Sequence, residues 1–138
     1  MKTAIMPMFL FSLIMLGCTP IIQNDLEGQD IQNLVYQHAK AWETGDYELL
    51  NSILHEELVF AYPGRRLNKT ETLKDLIDYD ATFNDTKIYI NKIIINGNDL
   101  AVEWQFASTN IKTGNRTAVS DAIIGIVKDG KIIVWKEY

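Results

Sequence analysis

YQHAKAWETGDYELLNSILHEELVFAYPG, residues Tyr36 to Gly64, decides the fold. With the residues just before it, it places Ile31, Leu34, Val35, Ala39 and Trp42 at the spacing of one buried helical face. Gly45 then supplies the left-handed residue that ends such a helix at Thr44, and Asp46 is the side chain that starts another. Leu49, Leu50, Ile53 and Leu54 mark the buried face of this second helix, which is expected to reach about Leu54. Leu58 to Tyr62 follows with strand composition and is closed by Pro63-Gly64. His38 lies on the apolar stripe of the first helix, and a polar residue set into such a stripe is the first place to look for chemistry.

Working outward, Asp25 and Asp30 are both able to cap the first helix. Asn68 with Glu71 forms a capping box for a third helix, whose Leu73, Leu76 and Ile77 share one side. From Thr86 onward the pattern is strand and turn only. Thr86 to Ile95, Leu100 to Thr109, Arg116 to Val127 and Lys131 to Tyr138 are separated by Asn96-Gly97, Thr113-Gly114-Asn115 and Asp129-Gly130. Tight hairpins demand such residues because their backbone must reach positive φ. An antiparallel meander of four strands is predicted. Ile88 and Ile90 keep one alternation phase while Ile93 and Ile95 keep the other, so a bulge is expected near Asn91-Lys92. The class is α+β: three N-terminal helices packed on a curved, mainly antiparallel sheet.

The composition, 47% hydrophobic and 22% charged over 138 residues, is that of one globular domain able to bury a core. Residues 1–17 differ. Lys2 precedes a nearly uncharged run from Ala4 to Gly17, interrupted by Pro7 and too short for a good membrane span, which is a signal peptide's profile. The run ends in Met15-Leu16-Gly17-Cys18, which resembles the lipobox of bacterial lipoproteins, with Met15 where leucine is usual. Cys18 is the sole cysteine, so no intrachain disulfide can form, and at that position lipidation is the expected role. The expected division is a signal peptide over 1–17, a lipid-anchored tether over 18–29 and one domain over 30–138. The bacterial cell envelope is the expected location, with the protein lipid-anchored or secreted. Loss of Lys2 with the leader takes the net charge from −5 to −6, an acidic balance that argues against nucleic acid as a partner.

AWETGDYELLNSILHEELVFAYPG, NGNDLAVEW and KDGKIIVWKEY together resemble the nuclear transport factor 2-like superfamily, and within it the SnoaL-like (polyketide-cyclase-like) domains, over about Ile31 to Tyr138. The resemblance implies a cone-shaped half-barrel with an apolar pocket between the first helix and the sheet, and often a homodimer through the outer sheet face. Apolar residues in both alternation phases of Leu100 to Thr109 and Arg116 to Val127 agree with such a dimer, because helices can hide only one face. Members of the superfamily include isomerases, dehydratases, epoxide hydrolases, cyclases and many non-enzymes. Fold alone therefore does not settle an activity.

Asp121 is the sharpest candidate for chemistry, since an acidic residue is disfavoured inside a strand and this one shares a face with Val119, Ile123 and Val127. In SnoaL-like enzymes an acid in the corresponding strand serves as general acid or base. The opposite face, Ala118, Ser120, Ala122, Ile124 and Ile126, is equally apolar, so both orientations of Asp121 stay open. His38 is the candidate partner across the pocket, or else a core histidine bonded to a backbone carbonyl. Tyr62, at a strand end before Pro63, is placed to donate to an oxyanion, the use that ketosteroid isomerase makes of a tyrosine beside its aspartate base. Trp42, Trp104, Phe106 and Trp135 either line the cavity and bind substrate or are plain core. Glu103 and Glu137 alternate with large apolar neighbours and face either side. His38 and His55 lack metal-ligand spacing, and the chain carries no phosphate-binding glycine loop, nucleophile elbow or dinucleotide fingerprint, so neither metal nor cofactor is expected. Two functions are consistent with these residues. One is an envelope-anchored domain that binds a small, largely apolar organic molecule and acts on it by cofactor-free acid–base catalysis of isomerase, dehydratase or cyclase type. The other is a non-catalytic ligand-binding or protein-interaction module.

Overall fold

The computed structural model describes residues 22–138, with side chains from Gly28 onward. The elements are α1 (Ile22–Thr44), α2 (Tyr47–Ile53), β1 (Leu54–Tyr62), β2 (Arg65–Leu67), α3 (Lys69–Asp80), β3 (Phe83–Asn96), β4 (Asp99–Asn110), β5 (Arg116–Lys128) and β6 (Lys131–Glu137). Helix α1 begins ahead of both Asp25 and Asp30, and so overlaps the segment 18–29 read as a tether. Cys18 and the leader 1–17 lie outside the described residues.

The corner between α1 and α2 forms as its residues dictate. Gly45 takes φ +65°, and the Asp46 N–H then closes the helix end on the carbonyl of Ala41 at 3.0 Å. The Asp46 carboxylate accepts from the Leu49 N–H at 2.9 Å, which starts α2 with no linker. A side chain at position 45 would meet the Asp80 carboxylate at 2.7 Å, so the end of α3 is seated on this corner. At the start of α3 the Asn68 and Glu71 capping box is complete.

Six strands make one mixed sheet in the order β2-β1-β6-β5-β4-β3. The predicted meander is present as β3 to β6, and the register of β3 against β4 shifts between Ile90 and Lys92, where the change of alternation phase placed a bulge. The sheet is not closed: β2 and β3 are its edges.

Four features depart from expectation. α2 ends at Ile53 and β1 starts at once, at Leu54 rather than Leu58, because Leu54 already pairs with Ile132. β2 is a three-residue edge strand folded back on β1 through Pro63-Gly64, too short and too charged to show a period of two. α3 follows the β1–β2 hairpin, so the helices are interleaved with strands, and β1 runs parallel to β6. Ile77 is 54% exposed; the buried row of α3 is Lys69, Thr72, Leu73 and Leu76, and Ile77 falls beyond its edge.

The core lies between the helices and the inner sheet face. From α1 come Ile31, Leu34, Val35 and Ala39, from α2 Leu50 and Ile53, and from the sheet Leu54, Phe60, Leu100, Val102, Trp104, Ile123, Ile132 and Trp135. Gly125 is obligatory on the inner face of β5. A Cβ there would come within 2.8 Å of Leu100 Cδ1 and 3.1 Å of the Val134 carbonyl.

Candidate functional site

The inner face of the sheet and the helices covering it enclose a cavity of about 480 Å³. Period-two alternation and strand register decide what reaches it. On β4 the inward residues are Trp104 and Phe106; on β5, directly across from them, they are Asp121 and Val119. Asp121 thus faces inward, which resolves its two orientations. The Trp104 indole N–H donates to Asp121 Oδ2 at 3.3 Å. On β6 Trp135 and Glu137 share the same side, and the Trp135 indole N–H donates to Glu137 Oε1 at 3.0 Å. Trp42 from the last turns of α1, Phe60 and Tyr62 from β1, and Asp75 and Tyr79 from α3 complete the wall.

Glu137 is the strongly perturbed acid of the site. Burial pushes its carboxyl up from 4.5 to about 7; the Trp135 hydrogen bond opposes this, and the charge of Asp121 adds to it. Two neighbouring acids thus share one cavity with a proton available near neutrality, the arrangement general acid–base catalysis requires. No lysine or arginine among the described residues forms an ion pair with either.

His38 is not part of the lining. It is fully buried beneath the floor, its ring 4.1 Å from that of Trp135 and stacked at 5.9 Å on Trp104. The Trp42 indole N–H donates to His38 Nε2 at 3.3 Å, so the hydrogen of the neutral ring sits on Nδ1, which has no partner among the described residues. Burial holds His38 down to about 3, which removes it as a base or acid at neutral pH. The expected pairing with Asp121 is therefore corrected: Trp104 touches both and stands between them in the network. Nor is His38 bonded to a carbonyl; it is an aromatic-like core residue.

Tyr62 does face the cavity, with its hydroxyl already engaged. It donates to Asp75 Oδ2 at 3.0 Å and accepts from Arg65 Nη1 at 2.9 Å, while Arg65 also pairs with Asp75 Oδ1 at 2.9 Å. Burial, with Asp75 beside it, raises the phenol above its ordinary value. This closed triad makes Tyr62 a rim element rather than a free oxyanion donor. Trp42, Trp104 and Phe106 line the cavity as expected, whereas Trp135 is fully buried behind it. Glu103 turns outward to solvent, and the His55 ring accepts from the Glu57 N–H at the surface. Asp75 and Tyr79 carried no signal in the sequence. Glu137 did, two residues beyond an inward tryptophan.

A broader hollow of about 660 Å³ lies between α1 and β3. Its one carboxylate, Glu43, accepts from the backbone N–H of Ile88 at 2.8 Å, so no pair of acids meets there.

The family model of the SnoaL-like domain matches residues 35–135. No curated protein matches the chain. Among solved structures it is similar to an LEH-like epoxide hydrolase from M. tuberculosis, with TM-score 0.72 and 20% identity over 80% of this chain and 82% of that one. It is also similar to a candidate polyketide cyclase from Xanthomonas campestris pv. campestris, with TM-score 0.68 and 18% identity over 80% and 90%. A candidate hydroxylase from Streptomyces galilaeus gives TM-score 0.69 and 14% identity over 81% and 79%. At these identities the likeness is one of fold. With the match running from within α1 to within β6, the chain belongs to the SnoaL-like domain family.

Proposed function

We propose that this domain binds a small, largely apolar organic molecule in the 480 Å³ cavity and moves a proton on it without a cofactor, using Glu137 and Asp121. One observation carries the reading: two carboxyl groups on adjacent strands, each held by an indole N–H, open into the same aromatic-walled space. Held near 7, Glu137 is able to give a proton to a heteroatom of the bound molecule, and Asp121 to receive one. The epoxide hydrolase, cyclase and hydroxylase descriptions of proteins with this fold support small-molecule chemistry of this kind. A purely structural binding module needs no converging titratable pair.

Asp121→Asn tests the pair. Carboxyl-detected NMR should find Glu137 titrating near 7 in the wild type and lower in the variant, because the neighbouring negative charge is gone. Any turnover found should show one arm of its pH profile near 7 that moves with it. An unchanged Glu137 titration would break the pair and leave the binding module.

The same proposal includes attachment to a bacterial envelope through Cys18 and pairing of two copies by the outer sheet face. Its support is the Met15 to Cys18 ending and the exposed Ile94 and Ile124, joined across β3, β4 and β5 through the half-buried Ala101, with exposed Ile126 beside them. Labelling with a fatty-acid analogue should mark the wild type and not Cys18→Ser. Sedimentation of the chain from Thr19 onward should give a dimer at micromolar concentration; an unlabelled wild type or a monomer removes the corresponding part.

A further inference from the structure

We infer that the molecule taken by this cavity carries a positively charged ammonium head, seated against Asp121 and Glu137 and among the aromatic walls. The inference rests on the reading of the cavity as the small-molecule site and adds the ligand's charge. Three observations carry it.

The first is the sign of the lining. Its ionisable side chains are acids and tyrosines, and no lysine, arginine or histidine is among them. The second is that the acids are not equivalent. Asp75 has its counter-charge in Arg65 at 2.9 Å, so it contributes little field. Asp121 and Glu137 receive only a neutral indole N–H each, and neither is in an ion pair among the described residues. Two acids set into an apolar wall without a cation are costly unless a proton or a ligand supplies the charge. An anionic ligand would worsen that, so carboxylates and phosphates are disfavoured.

The third is the wall itself. Trp42, Phe60, Tyr62, Tyr79, Trp104 and Phe106 enclose the space, and aromatic faces attract cations, most of all weakly hydrated ones such as methylated ammonium groups. Aromatic rings alone would suit any flat apolar molecule. Rings with two acids that lack a counter-charge select an amine. A volume of about 480 Å³ holds such a head together with a modest organic body. The chain's net charge of −5 acts in the same direction over longer range.

The test compares choline with 3,3-dimethylbutan-1-ol, its neutral isostere, in which carbon replaces the charged nitrogen. Tryptophan fluorescence follows binding, since Trp42 and Trp104 line the cavity. Choline should bind about tenfold or more tighter than the alcohol. That preference should shrink in Asp121→Asn and in Glu137→Gln, and vanish in the double variant. These are isosteric changes, and circular dichroism checks that each variant is folded. Equal or tighter binding of the alcohol overturns the ammonium head while the cavity reading stands. A preference for choline that survives in the folded double variant also overturns it, because charge would then not be the selector. Binding of neither probe removes the inference and the cavity reading together.

Discussion

Trp135→Ala is expected to destabilise the protein by about 3 to 5 kcal/mol. The side chain is fully buried, its ring 4.1 Å from His38 and 5.4 Å from Trp104. It also sits where β6 pairs with β1 at Phe60 on one side and with β5 at Gly125 on the other. No neighbour is free to collapse into the space, because those on the sheet are fixed by register and His38 by its helix. Trp135→Phe separates packing from chemistry. Most of the ring volume stays, but Glu137 Oε1 loses its donor. Since that bond holds the Glu137 carboxyl down, its titration should move above 7 in the Phe variant. Urea unfolding and carboxyl NMR read the two effects. A loss below about 1 kcal/mol on truncation to alanine would mean that this aromatic stack is not the centre of the core.

Glu137→Gln is expected to change how stability depends on pH by about 3 kcal/mol. In the folded protein Glu137 titrates at about 7, in the unfolded chain near 4.5. Between these values the folded state binds the extra proton, so the stability this group contributes is fully present below pH 4.5 and lost as pH rises through 7. His38 works in the opposite direction. Held at about 3 against 6.5 in the unfolded chain, it contributes stability that is present above pH 6.5 and lost as pH falls toward 3. From pH 4.5 to 6.5 the two slopes oppose each other. The wild type should therefore be nearly flat across that window, whereas the Gln variant, left with His38, should gain about 3 kcal/mol from its acid to its neutral end. Urea midpoints at pH 4.5, 5.5 and 6.5 give the comparison. Parallel profiles for the two proteins would show that Glu137 is not held protonated by the fold.

Much of this molecule follows from neighbours in the chain. Ile31, Leu34, Val35 and Ala39 are buried as their spacing requires, Gly45 and Asp46 divide α1 from α2, and Asn68 with Glu71 opens α3. Asp129 and Gly130 take φ +52° and +71° in the last hairpin, and the bulge near Asn91 follows from a change of alternation within one strand. Periodicity, caps and tight turns are local properties, and a linear sequence carries them whole.

The site depends on contacts between distant segments. Both faces of β5 are apolar, so alternation alone leaves the direction of Asp121 open; it is decided by Trp104 across the register and by helices that can cover only one face. His38 shares its stripe with Trp42, yet one is sealed under Trp135 while the other lines the cavity, a difference set by how deep each lies under the sheet's curve. Glu137 becomes an acid near 7 because the antiparallel pairing of β6 with β5, which sets it opposite Ile123, carries it indoors beside Asp121. Sequence alone therefore determined most of the elements, the caps and turns that bound them and the acids able to do chemistry, but not the short β2, the start of β1 or the parts of Asp75 and Tyr79. Tertiary structure decided which of those residues meet, because strand register and burial depth are set by pairing between segments nearly 80 residues apart, as Leu54 is from Ile132, and no local pattern encodes that pairing.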